Sequence, residues 1–215
     1  MTILDKFGWM TGLLLLLIAP VVQAGNQLYE PMSASVRSSL SKAVSDTPVS
    51  HVAFFADAQS QAWLDEMSRR LAKRMPDATQ RIDFLNTVHY EAIRAGLDPE
   101  LVLGVIEVES GFKKYAISSA DAQGYMQVMP FWVKLVGAPE QDLFHLRTNL
   151  RYGCNILRLY LDLEKGDLYR ALGRYNGSLG KPEYPVMVVN AWKKHWTYTP
   201  VPQIGQAVSV KMAGN

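Results

Sequence analysis

The run Leu101-Val102-Leu103-Gly104-Val105-Ile106-Glu107-Val108-Glu109-Ser110-Gly111-Phe112, preceded by Asp98-Pro99-Glu100, decides how this chain is read. Asp98 offers a capping carboxylate, Pro99 suits the first helical position, and Glu100 places an acid in the first turn, so a helix is predicted over Pro99–Ser110. Bulky aliphatic side chains cover most of its faces, which implies a helix buried among others. Two carboxylates inside such a helix need an explanation, because a buried charge is costly unless it is paired or protonated. Residues two apart on a helix point to nearly opposite sides, so Glu107 and Glu109 cannot both line one pocket. Glu109 falls in the last turn, where desolvation and the negative end of the helix dipole disfavour the charged form. A carboxyl kept protonated is what a general acid requires. A surface acid at a frayed helix end is an equal reading from position alone. Glu107 is expected to be a structural acid with a cationic or hydrogen-bonding partner.

The flanking sequence is helical too. Trp63, Met67 and Leu71 recur at helical spacing in a segment from Asp57 that ends at Pro76, with Arg69, Arg70, Lys73 and Arg74 near its C-terminal end, where cations suit the dipole. Asp77 can cap a second helix carrying Ile82, Leu85, Val88, His89 and Ala92 and closed by Gly96. Helices are also predicted over Asn149–Leu163 and Leu168–Tyr175, and from Pro182 through Val186, Val189 and Trp192. The stretch from Gly111 to Gly137 is too irregular for a long helix, and no alternating strand pattern occurs. The fold class is therefore mainly α, with at most a small β element. Asn26 to Thr47, rich in Ser, Ala and Pro, reads as a linker or a loosely packed segment.

Composition narrows the function. The chain has 215 residues, 48% hydrophobic and 20% charged, with a formal net charge of +2, and no basic run indicates nucleic acid. Lys6, the apolar segment to Ile18 and the small-residue site Val22-Gln23-Ala24 read as a cleaved export signal over residues 1–24, which implies a periplasmic protein with no membrane span after cleavage. The one cysteine, Cys154, lies on the stripe Leu150, Cys154, Leu157, Leu161 and is expected in the core. His89 reads as a core or boundary residue and His51, His145 and His195 as scattered surface or boundary residues; neither calcium nor zinc spacing occurs, so no metal or cofactor is expected.

After Glu109-Ser110-Gly111-Phe112 come Tyr115-Ala116-Ile117-Ser118, then Gln123-Gly124-Tyr125-Met126-Gln127-Val128-Met129-Pro130, and later Arg174-Tyr175-Asn176-Gly177 and Tyr184. This ordered series resembles the soluble lytic transglycosylases, the SLT-domain relatives of goose-type lysozyme that cut the glycan strands of bacterial peptidoglycan. The resemblance covers roughly Asp98 to Trp196. It implies a lysozyme-like (goose-type) helical domain over residues 81–200, after an N-terminal segment 25–80 and before a tail 201–215. It also implies peptidoglycan glycan strands as the partner, Glu109 as the acid and base, and Ser118, Gly124, Tyr125, Met126, Gln127, Met129, Tyr175, Asn176 and Tyr184 as the residues that bind substrate. Glycine usually stands where this chain has Asp121, leucine where it has Tyr125, and Ala-Gly where it has Gly177-Ser178. Two other readings stay open: a hydrolytic muramidase in which Asp121 orients water, and a non-catalytic module that binds glycan.

Overall fold

The computed structural model describes residues 27–45 and 58–199. The export signal expected over 1–24 and the tail expected over 201–215 lie outside them. Among the described residues, eight α-helices follow in order: α1 (Ala34–Ser45), α2 (Ala58–Leu71), α3 (Ala78–Arg94), α4 (Pro99–Ser110), α5 (Phe131–Val136), α6 (Leu146–Leu163), α7 (Leu168–Asn176) and α8 (Glu183–Ala191). A π-helical turn, Trp192–Trp196, continues α8. The only extended pairing among the described residues is two isolated antiparallel bridges, Ile117 with Gln123 and Gln123 with Val128. The architecture is mainly helical, as its sequence predicts.

The caps show why the helices begin and stop where they do. The Asp98 carboxylate accepts from the amides of Glu100 and Leu101 at 2.7 and 3.3 Å, and Gly111 ends α4 with φ 57°, a left-handed conformation that favours glycine. Asp77 caps α3 through the Gln80 amide at 2.8 Å, and Asp167 caps α7 through Arg170 at 3.0 Å. The six-residue α5 interrupts the stretch from Gly111 to Gly137 without making it a long helix.

α4 is the central helix, packed against α3, α8 and the π-helical turn, while α6 lies against α3 and α7. Leu103, Val105 and Ile106 of α4 are fully buried. Gly104 marks the closest crossing, since a Cβ there would meet the Cβ and backbone nitrogen of Trp192 at 3.0 Å. Cys154 is buried, its Sγ 4.0 Å from the Met126 sulfur, and burial pushes its thiol pKa well up; it is an inert core residue. Glu91 of α3 is fully buried and is held by Arg147 and Arg151 of α6 at 3.3 and 3.0 Å and by Arg94 at 3.5 Å. A buried carboxylate persists only with such partners.

The sequence reading of the N-terminal part needs correction. Ala34–Ser45 is a helix, not a linker: Leu40 and Val44 are buried in the core, α1 packs on α5 and α6, and Arg94 donates to the Ala43 carbonyl at 3.0 Å. Too few apolar residues on one stripe made α1 hard to recognise. α6 begins three residues earlier than predicted, at Leu146. The arginines ending α2 do more than complement a dipole: Arg69 and Arg70 clasp Glu66 at 2.7 and 2.6 Å, and Arg74 reaches α4.

Candidate active site

Helix geometry separates the two acids of α4. Glu107 faces the π-helical turn and the end of α2: Arg74 donates at 2.7 Å, Trp196 Nε1 at 2.6 Å, and His195 Nδ1 stands at 2.9 Å. It is the paired structural acid that its position predicts. His195, expected as an isolated surface or boundary residue, is half exposed and joined to this cluster.

Glu109, on the other side, is 6% exposed. The Tyr184 hydroxyl of α8 donates to its Oε1 at 2.6 Å. Burial first, and then the charge of Glu109, push the Tyr184 phenol well above its ordinary pKa, so it remains a donor. Tyr175 of α7 is also raised by burial first and the Glu109 charge second, but its hydroxyl donates to the Met126 carbonyl at 2.8 Å. One tyrosine thus bonds the acid, and the other holds the loop beside it.

That loop is built almost entirely from buried polar bonds. Gly111 and Phe112 both adopt left-handed φ, 57° and 68°, which turns the chain sharply after the helix. Ser110 then donates to the Tyr125 carbonyl at 2.7 Å. Asn149 of α6 is a three-point clamp: its Oδ1 accepts from the Met126 amide, and its Nδ2 donates to the carbonyls of Gln123 and Leu143, each at 2.8 Å. Gly124, φ 76°, passes so close that a Cβ would overlap the Asn149 amide and lie 2.6 Å from the Leu143 carbonyl oxygen. Gln127 takes a left-handed φ of 48° and donates through Nε2 to the carbonyls of Ala116 and Gly124 at 3.1 and 3.0 Å. A non-glycine residue held in that conformation costs about 1 kcal/mol or more, which such bonds offset.

The residues predicted to bind substrate therefore divide. Glu109, Tyr184, Tyr175, Asn176 and Gln127 are each buried, Tyr184 bonding Glu109 directly, while Met129 keeps partial exposure. Ser118 uses its hydroxyl oxygen to accept from the amides of Ala120 and Ala122 at 3.2 and 3.1 Å, shaping its own turn. Gly124 is required by close approach to Asn149. Two side chains are corrections. Met126, which the resemblance places among the substrate-binding residues, is fully buried against Gly153, whose missing side chain makes room for its sulfur. Tyr125, which the resemblance also places among the substrate-binding residues, is buried against Phe84 with ring centroids 4.9 Å apart, and burial pushes its phenol up to about 12. Their aliphatic and aromatic bulk belongs to the core, and the motif they share with Gln127 serves to pack one side of the loop.

Asn149 and Ser110 are the positions that residue-by-residue reading missed as site builders. A buried amide beside the apolar stripe Leu150, Cys154, Leu157 was the available signal, because a buried amide must find partners. Asp121 lies at an exposed turn with φ 68°, and its Oδ1 accepts from Gln123 at 3.3 Å. Chemically, a buried carboxyl facing a phenol donor, backed by a rigid loop, is suited to giving and retaking one proton.

Comparison with known proteins places this geometry in context. Residues 86–186 match the family model described as Transglycosylase SLT domain. The curated relatives include proteins named membrane-bound lytic murein transglycosylase C. That of Mannheimia succiniciproducens is 47% identical over 139 residues, covering 54% of this chain and 39% of the relative. That of Histophilus somni strain 2336 is 39% identical over 88 residues, 37% of this chain and 24% of the relative. That of Actinobacillus pleuropneumoniae serotype 5b is 51% identical over 47 residues, 22% of this chain and 13% of the relative. The matched part of this chain thus spans well under half the length of these relatives.

Proposed function

We propose that this chain, whose residues 86–186 match the transglycosylase SLT domain model, is a peptidoglycan lytic transglycosylase of the cell envelope. Its catalytic domain spans residues 81–200, and its substrate is the β-1,4 bond between N-acetylmuramic acid and N-acetylglucosamine. The observation that carries the reading is the buried Glu109 carboxyl bonded by Tyr184 at 2.6 Å, at the helix end where a protonated acid is favoured.

In this reading the Glu109 O–H gives its proton to the glycosidic oxygen as the C1–O bond breaks. The departing sugar leaves with a hydroxyl. The acetamido oxygen of the muramic acid bonds to C1, which supplies the nucleophile that most glycosidases take from a second carboxylate. Glu109, now a carboxylate, withdraws the C6 hydroxyl proton while O6 attacks C1 and displaces the acetamido oxygen. The product is a 1,6-anhydro end, Glu109 is protonated again, and no water is consumed. Tyr184 stabilises the carboxylate of the middle state, where its hydrogen bond is charge-assisted.

A hydrolytic route through Asp121 has less support, since that carboxylate lies at an exposed turn bonded to Gln123. Mass spectrometry of muropeptides released from purified sacculi separates the two. Anhydro ends that disappear in Glu109→Gln are expected; products heavier by one water would overturn the transglycosylase reading.

A further inference from the structure

The loop after Glu109 buries Phe112, Tyr125, Met126 and Val128 but leaves two large apolar side chains exposed. Tyr115 is 71% exposed, more than any other large apolar side chain among the described residues, and Ile117 is 61% exposed. Ala116 between them turns inward, its carbonyl accepting from the Gly124 amide at 2.9 Å and from Gln127 at 3.1 Å. Tyr115 lies in the turn closed by Ala116 and Lys113, and Ile117 in the isolated bridge that follows, so two exposed apolar side chains stand two residues apart. The segment is held, because Lys113 donates to the Ser110 carbonyl at 3.2 Å, Ala116 to the Lys113 carbonyl at 3.3 Å, and Ile117 pairs with Gln123.

The Tyr115 ring is braced as well. Phe144 stands with its centroid 5.8 Å away at a tilt of 49°, and the Lys114 ammonium lies 5.1 Å from the ring centroid. An exposed aromatic that is fixed in place, beside a second apolar side chain and a cation rich in donors, has the make-up of a binding surface. Six residues span at most about 20 Å, and the two turn bonds shorten the path further, so Tyr115 lies within that reach of Glu109.

We propose that Tyr115 and Ile117, with Lys114, form a platform for a pyranose ring of the glycan strand, away from the bond being cut. This rests on the function proposed above, and follows from the polymeric nature of that substrate: a strand crossing Glu109 must lie on the neighbouring surface. The C–H face of a sugar meets the negative face of the phenol ring, and Lys114 donates to the hydroxyls at the ring edge. Such a contact retains the strand between cuts.

The test uses binding to purified sacculi by the full chain carrying Glu109→Gln, which cannot turn over. Adding Tyr115→Ala is expected to weaken co-sedimentation about tenfold and to do so equally at low and high salt, because stacking is insensitive to screening. Tyr169→Ala, at another exposed tyrosine, serves as the control and is expected to change nothing. Equal binding with and without Tyr115→Ala overturns the platform, as does an equal loss in Tyr169→Ala or a loss confined to low salt. If the Glu109→Gln chain fails to bind sacculi at all, while remaining folded by circular dichroism, the proposed function itself falls.

Discussion

Trp196 Nε1 donates to Glu107 Oε2 at 2.6 Å, tying the π-helical turn to the last turn of α4 two residues before Glu109. Arg74 and His195 complete the set of partners, and Phe112, just past the helix end, packs on Trp196 with ring centroids 5.2 Å apart. Glu107 thus holds the end of the helix that carries Glu109, the acid proposed for the chemistry.

Glu107→Gln should therefore cost about 1–3 kcal/mol of stability, the range for losing hydrogen bonds to a charged group. The same change at Glu109 should leave the urea midpoint near the parent's and abolish turnover. Urea unfolding and sacculus clearance, measured on both variants, check the pair. A fully active, equally stable Glu107→Gln would remove the structural role assigned to it.

Tyr184→Phe keeps the ring and deletes the donor to Glu109. Losing a hydrogen bond that favours the carboxylate raises the acid's pKa, so the alkaline limb of kcat/KM should move to higher pH. The rate at the optimum should fall roughly tenfold to a hundredfold, corresponding to about 1.5–3 kcal/mol. A pH profile identical to the parent's would show that Tyr184 only packs.

Gly124→Ala places a methyl against Asn149 and the Leu143 carbonyl at a backbone position with φ 76°. Both strain and overlap act in one direction, and a loss of about 2–4 kcal/mol is expected. Because the Met126 and Gln123 bonds to Asn149 lie in the same clamp, activity should fall with stability. Thermal melts and activity assays on one preparation measure the two together.

Glu66 supplies a pH dependence. Hydrogen bonds from Arg69 and then Arg70 lower its carboxyl from 4.5 to about 2, against a smaller opposing effect of burial. A depressed carboxylate contributes stability that is present above about pH 4.5 and is lost as pH falls towards 2. The group is solvated, so the amount is small. Between those pH values the melting temperature of Glu66→Gln should fall less steeply than the parent's, with the two converging in strong acid.

How much of this was legible depends on the range of the cause. The span of α4 could be read residue by residue, because Asp98, Pro99 and Gly111 act on their own backbone. So could the separation of Glu107 and Glu109 onto different sides of the helix, which follows from helical pitch. α1 could not, since its sequence carries few apolar residues and its helicity depends on docking Leu40 and Val44 against α5 and α6.

The sequence by itself determined the helical class and the central buried helix, because these rest on local caps and periodicity. It was silent on which members of the Gln123–Met129 run face a pocket. Tertiary structure decided that Met126 and Tyr125 are core, that Gln127 and Ser118 spend hydrogen bonds on the loop's own backbone, and that Asn149 clamps it from α6. The physical reason is that the loop has no repeating backbone pattern to satisfy its amides and carbonyls, so partners distant in sequence must do so.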